Sequence, residues 1–101
     1  MLKKTSQEDF KNDISNGVVL VDFYADWCGP CQQLAPELER LNELDSSANI
    51  IKVNIDEANE VASEYGVMSI PTMILFKNGN QVDQKVGVSK AEELQEWIKK
   101  A

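Results

Sequence analysis

Apolar and polar residues alternate along this chain with two different periods, and the switches between them mark the elements. Phe10 and Ile14 lie four apart on one face, and Thr5 and Glu8 have capping-box spacing. With Asn16-Gly17 as a stop, this predicts a helix over residues 6–15. Leu2-Lys3-Lys4 in front predicts a short edge strand. Val18-Val19-Leu20-Val21-Asp22-Phe23-Tyr24 is β-branched and apolar at both alternating sets of positions, the pattern of a central strand covered on both faces. From Gly29 to Leu44 the period turns helical, with Leu34, Leu38, Leu41 and Leu44 as one apolar stripe. Pro36 falls inside it and predicts a kink rather than two helices.

Ile50-Ile51-Lys52-Val53-Asn54-Ile55 predicts a second strand, followed by a short helix over residues 57–65 with Asp56 as N-cap and Gly66 just beyond its end. Residues 72–77 predict a third long strand; Asn78-Gly79 is a hairpin turn, and residues 81–86 return antiparallel. Ser89 and Glu92 have capping-box spacing before a last helix carrying Leu94, Trp97 and Ile98, with Trp97 in the core. The implied class is α/β: a mixed central β-sheet flanked by helices on both faces. Two β-α-β units predict parallel strands with right-handed crossovers, and the hairpin adds antiparallel ones. No repeat or linker interrupts the pattern, so residues 1–101 are expected to form a single domain.

Composition changes this picture only by exclusion. With 43% hydrophobic and 27% charged residues, a core needs neither metal nor several disulfides. Seventeen acidic against ten basic residues give a net charge of −7, which argues against nucleic acid and anionic lipid as partners. No apolar run approaches the ~20 residues that span a bilayer, and no apolar segment follows Lys3 and Lys4. A cytoplasmic chain without an obligate interface, a monomer, is the simplest expectation.

The chemistry concentrates in Trp27-Cys28-Gly29-Pro30-Cys31, which holds both cysteines. A structural disulfide closing so short a loop would contribute only about 2 kcal/mol. A metal would find two ligands where zinc takes four, since the chain has no His and no further Cys. A redox pair fits best: a strand ends near Tyr24 and a helix begins near Gly29, so Cys28 sits at a helix N-terminus, where exposed N–H groups stabilise a thiolate. Cys31, one turn further in, is expected to be the more buried. Gly29-Pro30 narrows the turn and holds the sulfurs within bonding range. Asp22 interrupts the apolar strand, either as a buried carboxyl with a raised pKa or as an exposed strand-end acid. Lys52 is an unexpected charge at mid-strand, open to a functional reading or to simple snorkelling. Pro71 opens a strand, where proline needs no special role. No phosphate-binding glycine motif is present, so the chain is not expected to bind nicotinamide itself.

These residues resemble the thioredoxin family over essentially the whole chain. The resemblance is carried by Trp27-Cys28-Gly29-Pro30-Cys31 together with Val21-Asp22-Phe23, Pro36 and Lys52-Val53-Asn54-Ile55-Asp56, and by Ser69-Ile70-Pro71-Thr72, Phe76-Lys77-Asn78-Gly79 and Val86-Gly87. It implies the thioredoxin fold and reduction of disulfide-containing protein substrates by a Cys28/Cys31 dithiol–disulfide cycle. It implies no bound cofactor or metal; a separate flavoprotein, thioredoxin reductase, would supply electrons from NADPH. It implies that Asp22 is the buried acid, accepting the Cys31 proton, with Lys52 beside it moderating its pKa. It implies a cis Ile70–Pro71 bond facing the cysteines, Ile70 backbone groups pairing with an extended substrate segment, and a flat apolar rim of Trp27, Gly29, Pro30, Ile70 and Gly87 around Cys28. Gln32 and Tyr24 depart from the family, which often has a cation and a Trp there; Tyr24 is expected to matter little. Two rivals remain on the same fold, an oxidant or isomerase of a secretory compartment and a redox-independent docking subunit.

Overall fold

A computed structural model describes all of residues 1–101. In chain order the elements are β1 (Leu2–Lys4), α1 (Phe10–Asp13), β2 (Val18–Tyr24), α2 (Gly29–Leu44), β3 (Asn49–Asn54), α3 (Asn59–Glu64), β4 (Thr72–Lys77), β5 (Asn80–Val86) and α4 (Ala91–Lys99). They build one five-stranded sheet in the order β1-β3-β2-β4-β5. β2 lies at its centre and, like β3 and β4 on either side of it, is apolar on both faces. Val19, Val21 and Phe23 join Phe10, Ile14, Ile51, Val53, Ile74 and Phe76 in the layer under α1 and α3. Leu20 points the other way and joins Ile50, Met73 and Leu75 under Leu34, Leu38 and Leu41 of α2 and Leu94 and Trp97 of α4. Trp97 is core, as expected, with its Nε1–H donating to Asp83 Oδ2 at 2.7 Å. Burying each of these large side chains stabilises the fold by about 1.5–3 kcal/mol.

β1 and β2 both run parallel to β3, but β4 is antiparallel to β2, so the parallel expectation fails there. Helix length explains this. The 16-residue α2 rises about 24 Å and carries the chain back past the whole sheet. The six-residue α3 rises only about 9 Å, less than half a strand. The chain therefore enters β4 at the end where it left β3, and Thr72 pairs with Phe23 near the C-terminal end of β2. That end of the sheet gathers the outlets of β2 and β3, the start of α2 and the start of β4.

Other local expectations also need correction. α1 is four residues, not ten: Thr5 Oγ1 bonds to Asp13 Oδ2, and it is Ser6 Oγ that accepts the Asp9 N–H at 3.2 Å. Asp56 does not cap α3; Asn54 Oδ1 accepts the Asp56 N–H in a turn before it, and Gln7 Oε1 accepts the Glu60 N–H. Neither Ser89 nor Glu92 closes a capping box on α4, whose Ala91 N–H goes to Glu37 Oε1 of α2 at 3.0 Å. Leu44 is 50% exposed rather than core. At 100° per residue it lies about 80° around the helix from Leu34, whereas Leu41 lies about 20° away. α2 itself continues through Pro36 as one helix. The hairpin forms as expected, with Asn78 and Gly79 both at positive φ (51° and 87°), as a two-residue primed turn requires.

Candidate active site

β2 ends at Tyr24, and the next four residues turn the chain into α2. Cys28 is the N-cap of that helix, with extended φ/ψ of −93° and 113°. Gly29 and Pro30 start the first turn, where proline loses no hydrogen bond. This brings the Cα atoms of Cys28 and Cys31 to 5.3 Å, and their sulfurs are joined in a disulfide. The Cys31 N–H points at Cys28 Sγ from 3.2 Å, as an orphan amide of a helix N-terminus does. Cys31 is not the more buried of the two: both residues are 5% exposed. The bond ties them into one unit with Ala25, against which Tyr24, Ile55 and Ile70 pack.

The Ile70–Pro71 peptide is cis, and the Ile70 carbonyl oxygen lies 3.7 Å from Cys28 Sγ. Pro71 is buried, and its carbonyl accepts the Gly87 N–H at 2.9 Å. Gly87 holds φ at +99°, a conformation that a side chain at this position would strain. Trp27 is 70% exposed and is anchored by its Nε1–H, which donates to Asp56 Oδ2 at 2.9 Å. Gly29 and Pro30 are exposed, and a Cβ built on Gly29 would meet nothing within 4 Å. The residues expected to form the rim thus have an open surface above them. Met68, in the loop leading to Ile70, is 95% exposed and was not anticipated. Asp56, expected as the α3 cap, is instead the partner of Trp27; its position just after β3, at the site end of the sheet, is the only sequence signal of this.

Asp22 is 1% exposed and its Oδ1 has no hydrogen-bond partner. Burial pushes its carboxyl up to about 7, with the Lys52 charge opposing the shift. Lys52 is its direct partner in the β2–β3 register, so both side chains share the sheet face that α2 covers. Yet the ammonium of Lys52 rests over the Tyr24 ring, 4.6 Å from its centroid, and not on Asp22. Tyr24, two residues beyond Asp22, lies on this same face. Strand alternation and the diagonal pairing of Lys52 with Tyr24 would have shown it. Tyr24 and Lys52 line a cleft of about 280 Å³ with Ala25, Asp26, Cys31, Gln32 and Ala35. Gln32 Nε2 is turned to the Asp26 carbonyl at 3.1 Å.

Chemically, the arrangement offers a disulfide at a helix start under an open surface, and a buried acid on the sheet face that α2 covers. Comparison with known proteins agrees. The thioredoxin family model matches residues 1–100. The thioredoxin of Rickettsia prowazekii is 43% identical over all of this chain and 99% of its own length. That of Bacillus subtilis is 46% identical over 96% of this chain and 94% of its own. Among solved structures, oxidised thioredoxin from Plasmodium falciparum superposes with a TM-score of 0.86 at 38% identity, covering 99% of this chain and 97% of that one. A mutant thioredoxin from Halobacterium salinarum gives 0.88 at 43% identity, covering 98% and 88%. The chain therefore belongs to the thioredoxin family, and its Cys28–Cys31 pair makes it a protein thiol–disulfide oxidoreductase.

Proposed function

We propose that this chain acts as one domain and as a general reductant of protein disulfides, with the cysteine pair and eight residues around it in distinct roles. The Cys28 thiolate attacks one sulfur of a substrate disulfide, forming a mixed disulfide and releasing the other sulfur as a thiolate that takes up a proton. Asp22 accepts the Cys31 proton, directly or through water in the adjoining cleft, and Lys52 moderates its readiness to do so. Cys31 then attacks Cys28 Sγ, the substrate leaves fully reduced, and two electrons have passed from the dithiol. Trp27, Gly29, Pro30, Ile70 and Gly87 receive the substrate, with the Ile70 backbone pairing to an extended segment and Pro71 holding that edge against the sulfurs. The observation that carries this reading is the joined Cys28–Cys31 pair capping α2 beneath an open surface.

In the same reading the protein is a cytoplasmic monomer that holds no cofactor or metal of its own. Thioredoxin reductase, a flavoprotein drawing on NADPH, restores the dithiol; disulfide-bearing proteins are the substrates, and neither nucleic acid nor membrane is a partner. A Cys31→Ser variant mixed with a disulfide-bonded protein is expected to accumulate a mixed disulfide through Cys28, visible by mass spectrometry. Cys28→Ser is expected to accumulate none. Trapping through Cys31 in the second variant, or no trapping in either, would contradict the assignment of Cys28 as nucleophile.

A further inference from the structure

Lys52 has a buried, unpartnered carboxyl directly opposite it in the sheet and does not use it. Its ammonium instead sits 4.6 Å from the centroid of the Tyr24 ring, at the cleft it shares with Cys31. A flat aromatic face attracts a cation through its quadrupole while leaving the cation's other side in water. Moving onto Asp22 would strip that water, a penalty that attraction to a carboxylate has to overcome. The ring tips this balance by giving Lys52 a second partner within reach.

We infer that Tyr24 is a positioning residue for the redox reaction: its ring seats the Lys52 ammonium and withholds it from Asp22, leaving the carboxyl free to take the Cys31 proton. A carboxylate already paired with an ammonium is a poorer base, so the seat bears directly on proton transfer. Few other groups act on Asp22. From β3 the Lys52 charge acts on it, and on its own strand Tyr24 shares its face; its β4 partner is Met73, which does not titrate, and from α2 Cys31 lines the cleft that Lys52 and Tyr24 share. Asp26 lines the mouth of the same cleft. Leu34, Leu38 and Leu41 of α2 and Ala91, Leu94 and Trp97 of α4 are the apolar residues of this layer, and the Glu37 carboxylate between the two helices is engaged by Arg40 and the Ala91 N–H. The catalytic consequence rests on the reading of Asp22 as proton acceptor, whereas the seating of Lys52 does not.

The test is a carbon-NMR titration of the Asp22 carboxyl in the disulfide form, where neither cysteine titrates. Tyr24→Leu is expected to lower its midpoint by about one pH unit or more, as Lys52 moves onto the carboxylate. Tyr24→Phe, which keeps the ring, is expected to leave it unchanged. In a Lys52→Met background Tyr24→Leu is expected to have no further effect, which separates loss of the seat from added hydration of Asp22. An unchanged midpoint in Tyr24→Leu, or an equal fall with and without Lys52, would overturn the proposal. Should Tyr24→Leu fail to fold, Tyr24→Met carries the same measurement. Failure of the catalytic reading shows separately, as unaltered turnover in Asp22→Asn.

Discussion

At the scale of single residues, Asp22 sets the chemistry because it is an acid that the fold has deprived of water. Burial pushes its carboxyl up to about 7 from an ordinary value of 3.8, so between those values the native state holds a proton that the unfolded chain has lost. Native stability therefore falls as pH rises through that window, by about 4 kcal/mol in all, and stays reduced above it. Asp22→Asn removes the effect. Its stability advantage over the native chain is expected to grow by about 2–3 kcal/mol from pH 5 to pH 8 in denaturant titrations. A constant difference would mean that Asp22 is ionised at both values. Much of this was legible beforehand. Cys28, Cys31 and the polar intruder Asp22 stand out because their chemistry contradicts their apolar setting. Tyr24 did not, because a large aromatic at a strand end breaks no local pattern. Its importance arises only from Lys52, which the β2–β3 register brings alongside. Met68 was equally silent, since an apolar side chain in a loop gives no sign of whether it turns in or out.

At the scale of elements, strands were easier to read than helix starts. β2, β4 and the turn between β4 and β5 occupy their expected positions, since each is fixed by its own alternation and by two turn residues that tolerate positive φ. The helix caps are different. α3 is capped by Gln7, 53 residues away in the chain, and α4 by Glu37, 54 residues away. Both satisfy exposed backbone N–H groups as well as the local Asp56 or Ser89 would, but no short-range spacing reveals them. Glu37→Ala is accordingly expected to cost about 1–2 kcal/mol, through loss of both the α4 cap and its ion pair with Arg40. Ser89→Ala is expected to stay within about 0.5 kcal/mol. Thermal denaturation of the two variants side by side decides the matter, and a larger loss from Ser89 would restore the local cap. The direction of β4 belongs to this scale too. It follows from the shortness of α3, whose start the expected Asp56 cap places two residues too early.

At the scale of the whole molecule, the direction of electron flow depends on how strongly the fold stabilises the reduced form. A cysteine pair becomes an oxidant when its thiolate is heavily stabilised, since that favours the dithiol over the disulfide. Cys28 has the N-terminus of α2 for this purpose and little else. Trp27, Gly29, Pro30, Ile70 and Gly87 carry no charge, Gln32 is neutral, and Asp26 and Asp56 add negative charge to a molecule whose net charge is −7. The ammonium of Lys52 is held on Tyr24, at the cleft beside Cys31. The environment therefore favours the disulfide, and the protein should give its electrons away. Equilibrating the Cys28–Cys31 couple against defined thiol–disulfide buffers, with Trp27 fluorescence as the readout, tests this most directly. The account predicts a potential well below that of glutathione, so that the pair stays oxidised until the buffer is strongly reducing; a potential near or above glutathione would contradict it and make the protein an oxidant or isomerase.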